Sequence, residues 1–220
     1  MVRIIIPSLG KKHILGCFDS LKHIPFDYQV DLVMEGDNWP EAINIGLSRS
    51  HGDVILMDDD ARILPDTFNN WEEYYPKADI FGFKLLFDNG LIQHAGAKVV
   101  NGQIEHIGYR QPASACAKPY YPCHVTTSLI YIKRKALDKL QGIATDYPGD
   151  QFEDVDFCFR AIKAGLKILY VPNPAVHLES ATKRTIATFP AQMALNYAEL
   201  KKRYFTPDLL PILEQYPYEY

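Results

Sequence analysis

No apolar stretch in these 220 residues approaches the roughly 18 needed to cross a bilayer, which excludes a membrane-spanning helix. A basic excess is also missing. Lys and Arg number 23 against 27 Asp and Glu, for a net charge of −4. General attraction to nucleic acid or to anionic lipid is therefore not expected. The one compact basic run, Lys201-Lys202-Arg203, reads as a solvated helix face. Cysteine is sparse: Cys17, Cys116, Cys123 and Cys158 form no CxxC pair and no His-flanked zinc spacing. Reduced thiols in a cytosolic protein are the expectation. The opening MVRIIIPSLG is too short and too early broken by Pro7 for a signal peptide. Repeats, low-complexity tracts and linkers are lacking, so one domain over residues 1–220 is expected. The protein is then cytoplasmic, resting at most against a membrane surface.

What is present is an ordinary globular composition, 47% hydrophobic and 23% charged, enough to bury a core without staples. Val2 to Ile6 reads as a strand stopped by Pro7, and Ile14, Leu15, Phe18 and Leu21 recur at helical spacing between Lys11 and Ile24. Gln29 to Met34 reads as a second strand. A helix opened by Pro40 and ended near Gly52 comes next, then a third strand, Val54 to Met57. Strands joined by helical crossovers predict an α/β fold with a mostly parallel sheet and helices on both faces. The middle differs. Phe81 to Phe87 and Leu91 to His94 flank Asp88-Asn89-Gly90, and Asn101-Gly102 marks another turn, so a small antiparallel hairpin region is expected. Residues 108–124 read as a loop and Thr126 to Ile132 as a strand. A helix from Glu153 is capped by Gly165, strand Lys167 to Val171 is closed by Pro172 and Pro174, and a tail helix runs from Phe189 to Tyr204.

The third strand runs straight into Asp58, Asp59 and Asp60. Consecutive carboxylates repel and persist only with compensation, for which a divalent cation is suited. Alternation along a strand points Asp58 and Asp60 one way and Asp59 the other. Mg²⁺ and Mn²⁺ favour such oxygen ligands, with phosphate oxygens completing the shell. A solvated acidic loop is the plainer alternative. Downstream, Glu153 and Asp154 begin an amphipathic helix, where acids suit the helix dipole without any catalytic role. His177 lies just beyond the next strand, at the sheet edge where a parallel topology would gather it with the aspartates. A neutral imidazole can complete a divalent-metal site there.

Four stretches in order carry a family resemblance over nearly the whole chain. These are RIIIPSLGKKHILGCFDSL, NIGLSRSHGDVILMDDDARILPD, IQHAG with VTTSLIYIKRKAL, and EDVDFCFRAIKAGLKILYVPNPAVHLES. Together they resemble a family 2 glycosyltransferase with the GT-A fold, a Rossmann-like sheet flanked by helices. The resemblance implies a nucleotide-sugar-binding half at 1–100 and an acceptor-binding and catalytic half at 101–220. It implies Mn²⁺ or Mg²⁺ held by Asp60 and His177 with Asp58, a nucleotide-diphosphate sugar as donor, and a carbohydrate or glycoconjugate acceptor. Asp58 and Asp59 would also hold ribose or donor sugar, and Asp154 matches the general base of inverting members. Pro7, Ser8, Glu35 and Asn44 fall in the donor pocket. Glu153, Gln93 and His94 fall near the sugar or the acceptor. Two departures lie in the nucleotide pocket: Ser8-Leu9-Gly10 replaces the usual Thr-Tyr-Asn, and Glu35-Gly36-Asp37-Asn38 the usual Asp-Asn-Gly-Ser.

Tyr109, Tyr120, Tyr121 and His124 are expected either to offer an acceptor sugar a stacking surface or simply to pack the loop. A retaining glycosyltransferase, or a nucleotidyltransferase of the same fold, remains an alternative, although no Gly-rich GxGxR-like loop follows the first strand. So does a silent nucleotide-sugar-binding domain. The acidic net charge lends nothing to a nucleic-acid acceptor.

Overall fold

The computed structural model describes residues 1–8, 10, 13–147, 151–178 and 189–219. Leu9, Lys11 and Lys12 of the first resembling stretch, and Glu179 and Ser180 that end the last, lie outside the described residues.

The order of elements begins β1 (Val2–Pro7), α1 (Ile14–Ser20), β2 (Tyr28–Val33), α2 (Trp39–Ser48), β3 (Val54–Met57) and β4 (Ala61–Ile63). It continues with α3 (Trp71–Tyr74), β5 (Ile80–Leu86), β6 (Ile92–His94), β7 (Ala97–Val100), β8 (Gln103–His106), β9 (Tyr120–Tyr121) and β10 (Leu129–Ile132). The remainder is α4 (Arg134–Leu140), α5 (Glu153–Lys163), β11 (Ile168–His177), α6 (Phe189–Tyr204), α7 (Leu210–Leu213) and β12 (Tyr218–Glu219).

One sheet runs β12-β9-β11-β5-β10-β3-β1-β2 and carries β4 on β11 and β6 on β5; β7 and β8 form a separate hairpin. The pairs β1–β2, β1–β3 and β5–β11 are parallel, while β10 runs antiparallel between β3 and β5. The first three strands thus form the parallel, helix-crossed unit that their pattern predicts, and Asp88-Asn89-Gly90 and Asn101-Gly102 both close hairpins. Because side chains alternate along a strand, the sheet feeds two cores. Ile5, Val54 and Leu56 pack with Phe157 and Phe159 of α5 on one face; Ile4, Ile6, Ile55 and Met57 pack with Phe81 and Phe83 on the other.

Two departures from simple strand and loop geometry shape the functional edge of the sheet. β11 does not end at its prolines: a register shift between Val171 and Pro174 lifts Pro172 and Asn173 out of the ladder, and pairing with β5 resumes at Pro174. Proline has no N–H to give a ladder, and a bulge is where a strand tolerates it. The strand therefore carries on to His177. The second is a close approach at Gly82 in the centre of β5, where a Cβ would come 2.4 Å from Val125 Cβ. The segment before β10 thus lies directly against the sheet. Gly82→Ala is expected to cost about 1–3 kcal/mol by overpacking, and thermal denaturation should show Tm falling by roughly 2–4 °C per kcal/mol. An unchanged Tm would mean that the approach is looser than this.

Candidate active site

Three strands deliver their carboxyl ends to one edge of the sheet, where Ser8 follows β1, Asp58 follows β3, and His177 ends β11. Ligands gather at this edge in open α/β sheets. The Asp58 N–H donates to Ser128 O at 3.0 Å and the Ala61 N–H to Asp58 O at 3.0 Å, curling the aspartates into a tight turn. The antiparallel pairing of β4 with β11 sets His177 opposite Ala61, and the Leu178 N–H donates to Asp60 O at 3.2 Å. His177 Nε2 consequently lies 3.1 Å from Asp60 Oδ1 and 3.5 Å from Asp58 Oδ2. One donor atom from each of the three falls within 4.8 Å of the others. Asp59, in the turn after β3 rather than in the strand, points away from this cluster and accepts a 2.6 Å hydrogen bond from Ser8 Oγ.

The donor set suits a divalent cation. Two carboxylate oxygens and an imidazole nitrogen are ordinary ligands for Mn²⁺ or Mg²⁺. In an octahedral shell with bonds of about 2.1 Å, neighbouring donors stand about 3 Å apart. The 3.1 and 3.5 Å spacings are already close to that.

The two carboxylates are unequal. Burial raises Asp58, and the neighbouring Asp60 adds to the rise against the opposing pull of His177. For Asp60 burial also pushes up, but the hydrogen bond and charge of His177 outweigh it and hold the group below its ordinary value. Trp39 Nε1 donates to Asp58 Oδ1 at 3.0 Å, fixing that carboxylate from α2. Beneath the turn, Cys17 Sγ lies 3.7 Å from Asp58 O, and burial, reinforced by the three aspartates, pushes its thiol up to about 12. That thiol is neutral, packed and no nucleophile.

A second cluster stands beside the first. Asp154, in the first turn of α5, has Oδ2 3.2 Å from His124 Nε2. His124 is 3% exposed, and among the described residues neither of its ring nitrogens makes a well-formed hydrogen bond; it faces that carboxylate and the edge of the His94 ring, centroids 5.3 Å apart. His94 Nε2 accepts from the Thr126 N–H at 3.2 Å, and His94 Nδ1 lies 3.1 Å from His106 Nδ1. Burial drives His94 well below the ordinary histidine range, and the neighbouring imidazoles add to it. Burial alone would raise Asp154. The charge of His124 and its close contact overcome that, helped by the Val155 N–H at 2.8 Å, and hold Asp154 at about 2. Asp154 is therefore ionised at neutral pH, the state a base requires.

The clusters share one short strand. Gln93 of β6 bonds to His177, and the next residue, His94, lies against His124.

The other expected site residues have varied fates. Pro7 ends β1 beside Ser8. Glu35 is exposed and pairs with Arg49 at 2.7 Å, which lowers its carboxyl through that hydrogen bond. Asn44 is used elsewhere: its Nδ2 donates to Ile143 O at 2.8 Å and its Oδ1 accepts the Ile143 N–H at 2.9 Å, so both polar ends clamp the chain after α4 rather than face a ligand. Glu153 is buried at 7% exposure, leaving Asp154 the more accessible of the pair. Gln93 and His94 turn to the two clusters and do not reach into open space.

The tyrosines do not form one platform. Tyr120 stacks on Tyr170 at 4.5 Å and donates its hydroxyl to Ala95 O. Tyr121, on the other side of β9, stacks on Tyr218 at 4.8 Å. Tyr109 packs edge-on to Phe87, and His124 faces Asp154. Sheet packing therefore consumes the two rings expected to stack on a sugar.

Three roles escape a reading of the sequence: Trp39 on Asp58, Gln93 on His177, and His124 on Asp154. Only the first has an available signal, an aromatic N–H at the start of the helix that precedes the aspartate strand.

This edge, with its acids and imidazole, is that of a glycosyltransferase of the GT-A fold, and comparison with known proteins agrees. Residues 54–201 match the glycosyl transferase family group 2, and the chain belongs to that family. A mannosyltransferase of Pyrobaculum calidifontis, solved with GDP-Man and Mn²⁺, superposes with TM-score 0.60 at 14% identity, covering 92% of this chain and 64% of that one. GalNAc-T7, solved with UDP, GalNAc and Mn²⁺, gives TM-score 0.66 at 13% identity over 94% of this chain and 48% of that one. Such identities speak for the fold. The O-antigen biosynthesis protein RfbC of Myxococcus xanthus is 25% identical over 178 residues, 73% of this chain. The chain spans only 20% and 14% of the length of the curated relatives it matches. Among the described residues, no helix is long and apolar enough to cross a membrane.

Proposed function

We propose that this glycosyltransferase moves a sugar from a nucleotide-diphosphate donor to an acceptor hydroxyl with inversion at the anomeric carbon. One observation carries the reading: Asp58, Asp60 and His177 meet on the strand edge, and Asp154 is tied to the same edge through His124 and adjacent residues of β6. Residues 1–100 supply most of the donor side and residues 101–220 the base. The metal held by Asp58, Asp60 and His177 would supply positive charge against a departing diphosphate. Both superposed structures were solved with Mn²⁺, which makes Mn²⁺ the first ion to assay.

Asp154 accepts the proton of the acceptor O–H as that oxygen forms its bond to the anomeric carbon. The bond from that carbon to the phosphate oxygen breaks, and its electron pair leaves with the diphosphate. His124 sits behind Asp154, keeps it charged before the reaction, and steadies its orientation. Ser8 holds Asp59 and Trp39 holds Asp58, so each carboxylate of the turn has a fixed direction before substrate arrives. The Myxococcus relative is named for O-antigen biosynthesis, so a polysaccharide hydroxyl is the acceptor class to try first.

The anomeric configuration of the product, read by NMR from an α-linked donor, tests this directly. A β-linked product supports it; an α-linked product means retention and removes Asp154 from the role of base. The dyad has its own test. His124 is the largest influence opposing burial at Asp154, so His124→Gln moves the acid limb of kcat/KM to higher pH by about one unit or more. A superimposable pH profile would show that His124 does not act on Asp154.

A further inference from the structure

We infer that Gln93 is the positioning residue of the metal site: its side-chain amide dictates which nitrogen of His177 faces the cation. The inference rests on the reading of Asp58, Asp60 and His177 as metal ligands, and deepens it.

Backbone geometry supplies the first observation. On β6, Ile92 pairs with Leu86 and His94 with Leu85, so three consecutive residues oppose two, and Gln93 is the extra one. A bulged residue is released from the ladder and its side chain is re-aimed, an arrangement common beside active sites. Here the released side chain meets His177 of β11, 84 residues away in sequence.

Hydrogen-bond logic supplies the second. Gln93 makes two contacts with the same residue: Nε2 with the His177 backbone oxygen at 3.3 Å, and Oε1 with His177 Nδ1 at 2.7 Å. The two ends of an amide differ only in what they can donate or accept. A carbonyl oxygen only accepts, so the Gln93 –NH₂ must face it. The Oε1 atom is then the one that faces the imidazole, and it too only accepts. Nδ1 must therefore carry the ring proton. The proton that Nε2 directs at Asp60 is then the one a cation displaces, and the lone pair so uncovered lies 3.1 Å from Asp60 Oδ1 and 3.5 Å from Asp58 Oδ2. A chain of obligatory choices thus runs from a backbone carbonyl, through one amide, to the nitrogen that a cation needs.

The consequence is energetic as well as geometric. A ring held by its far nitrogen loses little rotational freedom on binding metal, and an acceptor on Nδ1–H makes Nε2 a stronger donor. Without Gln93, Nε2–H and Nδ1–H tautomers compete, and the ring loses its hold on Nδ1. Loss of such a partner typically weakens metal binding by about 10–100-fold.

Mn²⁺ alone is the probe, with free Mn²⁺ followed by EPR during titration of the folded chain. Gln93→Met keeps the length and bulk but removes the acceptor. Gln93→Glu keeps an acceptor for Nδ1–H and gives up only the donor to the carbonyl. The expected result is Mn²⁺ binding weakened about 10–100-fold in Gln93→Met and retained in Gln93→Glu. A residue that merely packs would give the opposite order, because the buried volume survives in Met and a charge is introduced in Glu. Binding equal to wild type in Gln93→Met overturns the inference. Should that variant fail to fold, ¹⁵N NMR of the wild-type protein saturated with diamagnetic Mg²⁺ decides: the His177 ring must carry its proton on Nδ1, and a ring still protonated on Nε2 overturns it. His177→Ala separates the two levels. If that variant binds Mn²⁺ as wild type does, the metal-site reading has failed, whatever Gln93 does.

Discussion

Asp154→Asn is expected to lower kcat by about 10²- to 10⁴-fold, the range that a positioned general base contributes, while donor KM stays within a few-fold of wild type. The substitution keeps the size and one acceptor oxygen of the side chain and removes its capacity to take a proton. It is also structurally mild, since the Val155 N–H at 2.8 Å can still be accepted by the amide oxygen. The variant does alter its partner: His124, 3% exposed, loses the carboxylate that it faces. Some loss of stability should accompany the loss of rate, and a melting curve on the same sample separates the two. Turnover within about threefold of wild type in a folded variant would place the base elsewhere, with Glu153 the next carboxylate to test.

Asp60→Ala is expected to cost a comparable amount, on the order of 10³-fold in kcat/KM or roughly 4 kcal/mol of transition-state stabilisation. Asp60 is the member of the turn that His177 grips most closely, and His177 holds its carboxyl below the ordinary range despite burial. Deleting it removes one ligand and the nearest carboxylate contact of another. Asp58 cannot take over, because its Oδ2 already faces His177 and its Oδ1 is bound to Trp39 Nε1. Asp59 cannot either, since it faces Ser8. Asp59→Asn should accordingly be much milder than Asp60→Ala, measured by initial rates at saturating Mn²⁺. Equal losses at the two positions would contradict the division of roles within the turn.

Much of the fold and of the acidic edge is legible in the chain. A four-residue apolar strand ending in aspartates, flanked by amphipathic segments, specifies a parallel strand with acids at its carboxyl end, and Val54–Met57 is such a strand. The tail helix, Phe189–Tyr204, likewise follows its pattern. The strand before His177 is harder. Two prolines read as its end, yet β11 continues past them because the bulge takes Pro172 out of the ladder and pairing resumes at Pro174. Local sequence states that proline cannot join a ladder; it does not state that the ladder can step over it.

The contacts that tune the site are illegible for a different reason. His124 and Asp154 stand 30 positions apart, Gln93 and His177 84. Their meeting depends on sheet order and on a one-residue bulge, neither of which leaves a periodic trace. The tyrosines mislead in the converse way. An aromatic-rich, proline-rich segment suggests an exposed loop, but Tyr120 and Tyr121 pair as β9 against β11 and β12, and their rings go into the packing. Asn44 is the same lesson on a smaller scale: a polar residue near the donor side spends its amide on Ile143, where Gly142, at φ +102°, lets the backbone turn against it.

The central claim is that Asp58, Asp60 and His177 together hold one cation, and pulsed EPR of Mn²⁺ bound to the wild-type chain tests it most directly. The account predicts one bound Mn²⁺ with a coupling to a single imidazole ¹⁴N, a coupling that disappears in His177→Ala. Bound Mn²⁺ with no nitrogen coupling, or a coupling that survives that substitution, would contradict it.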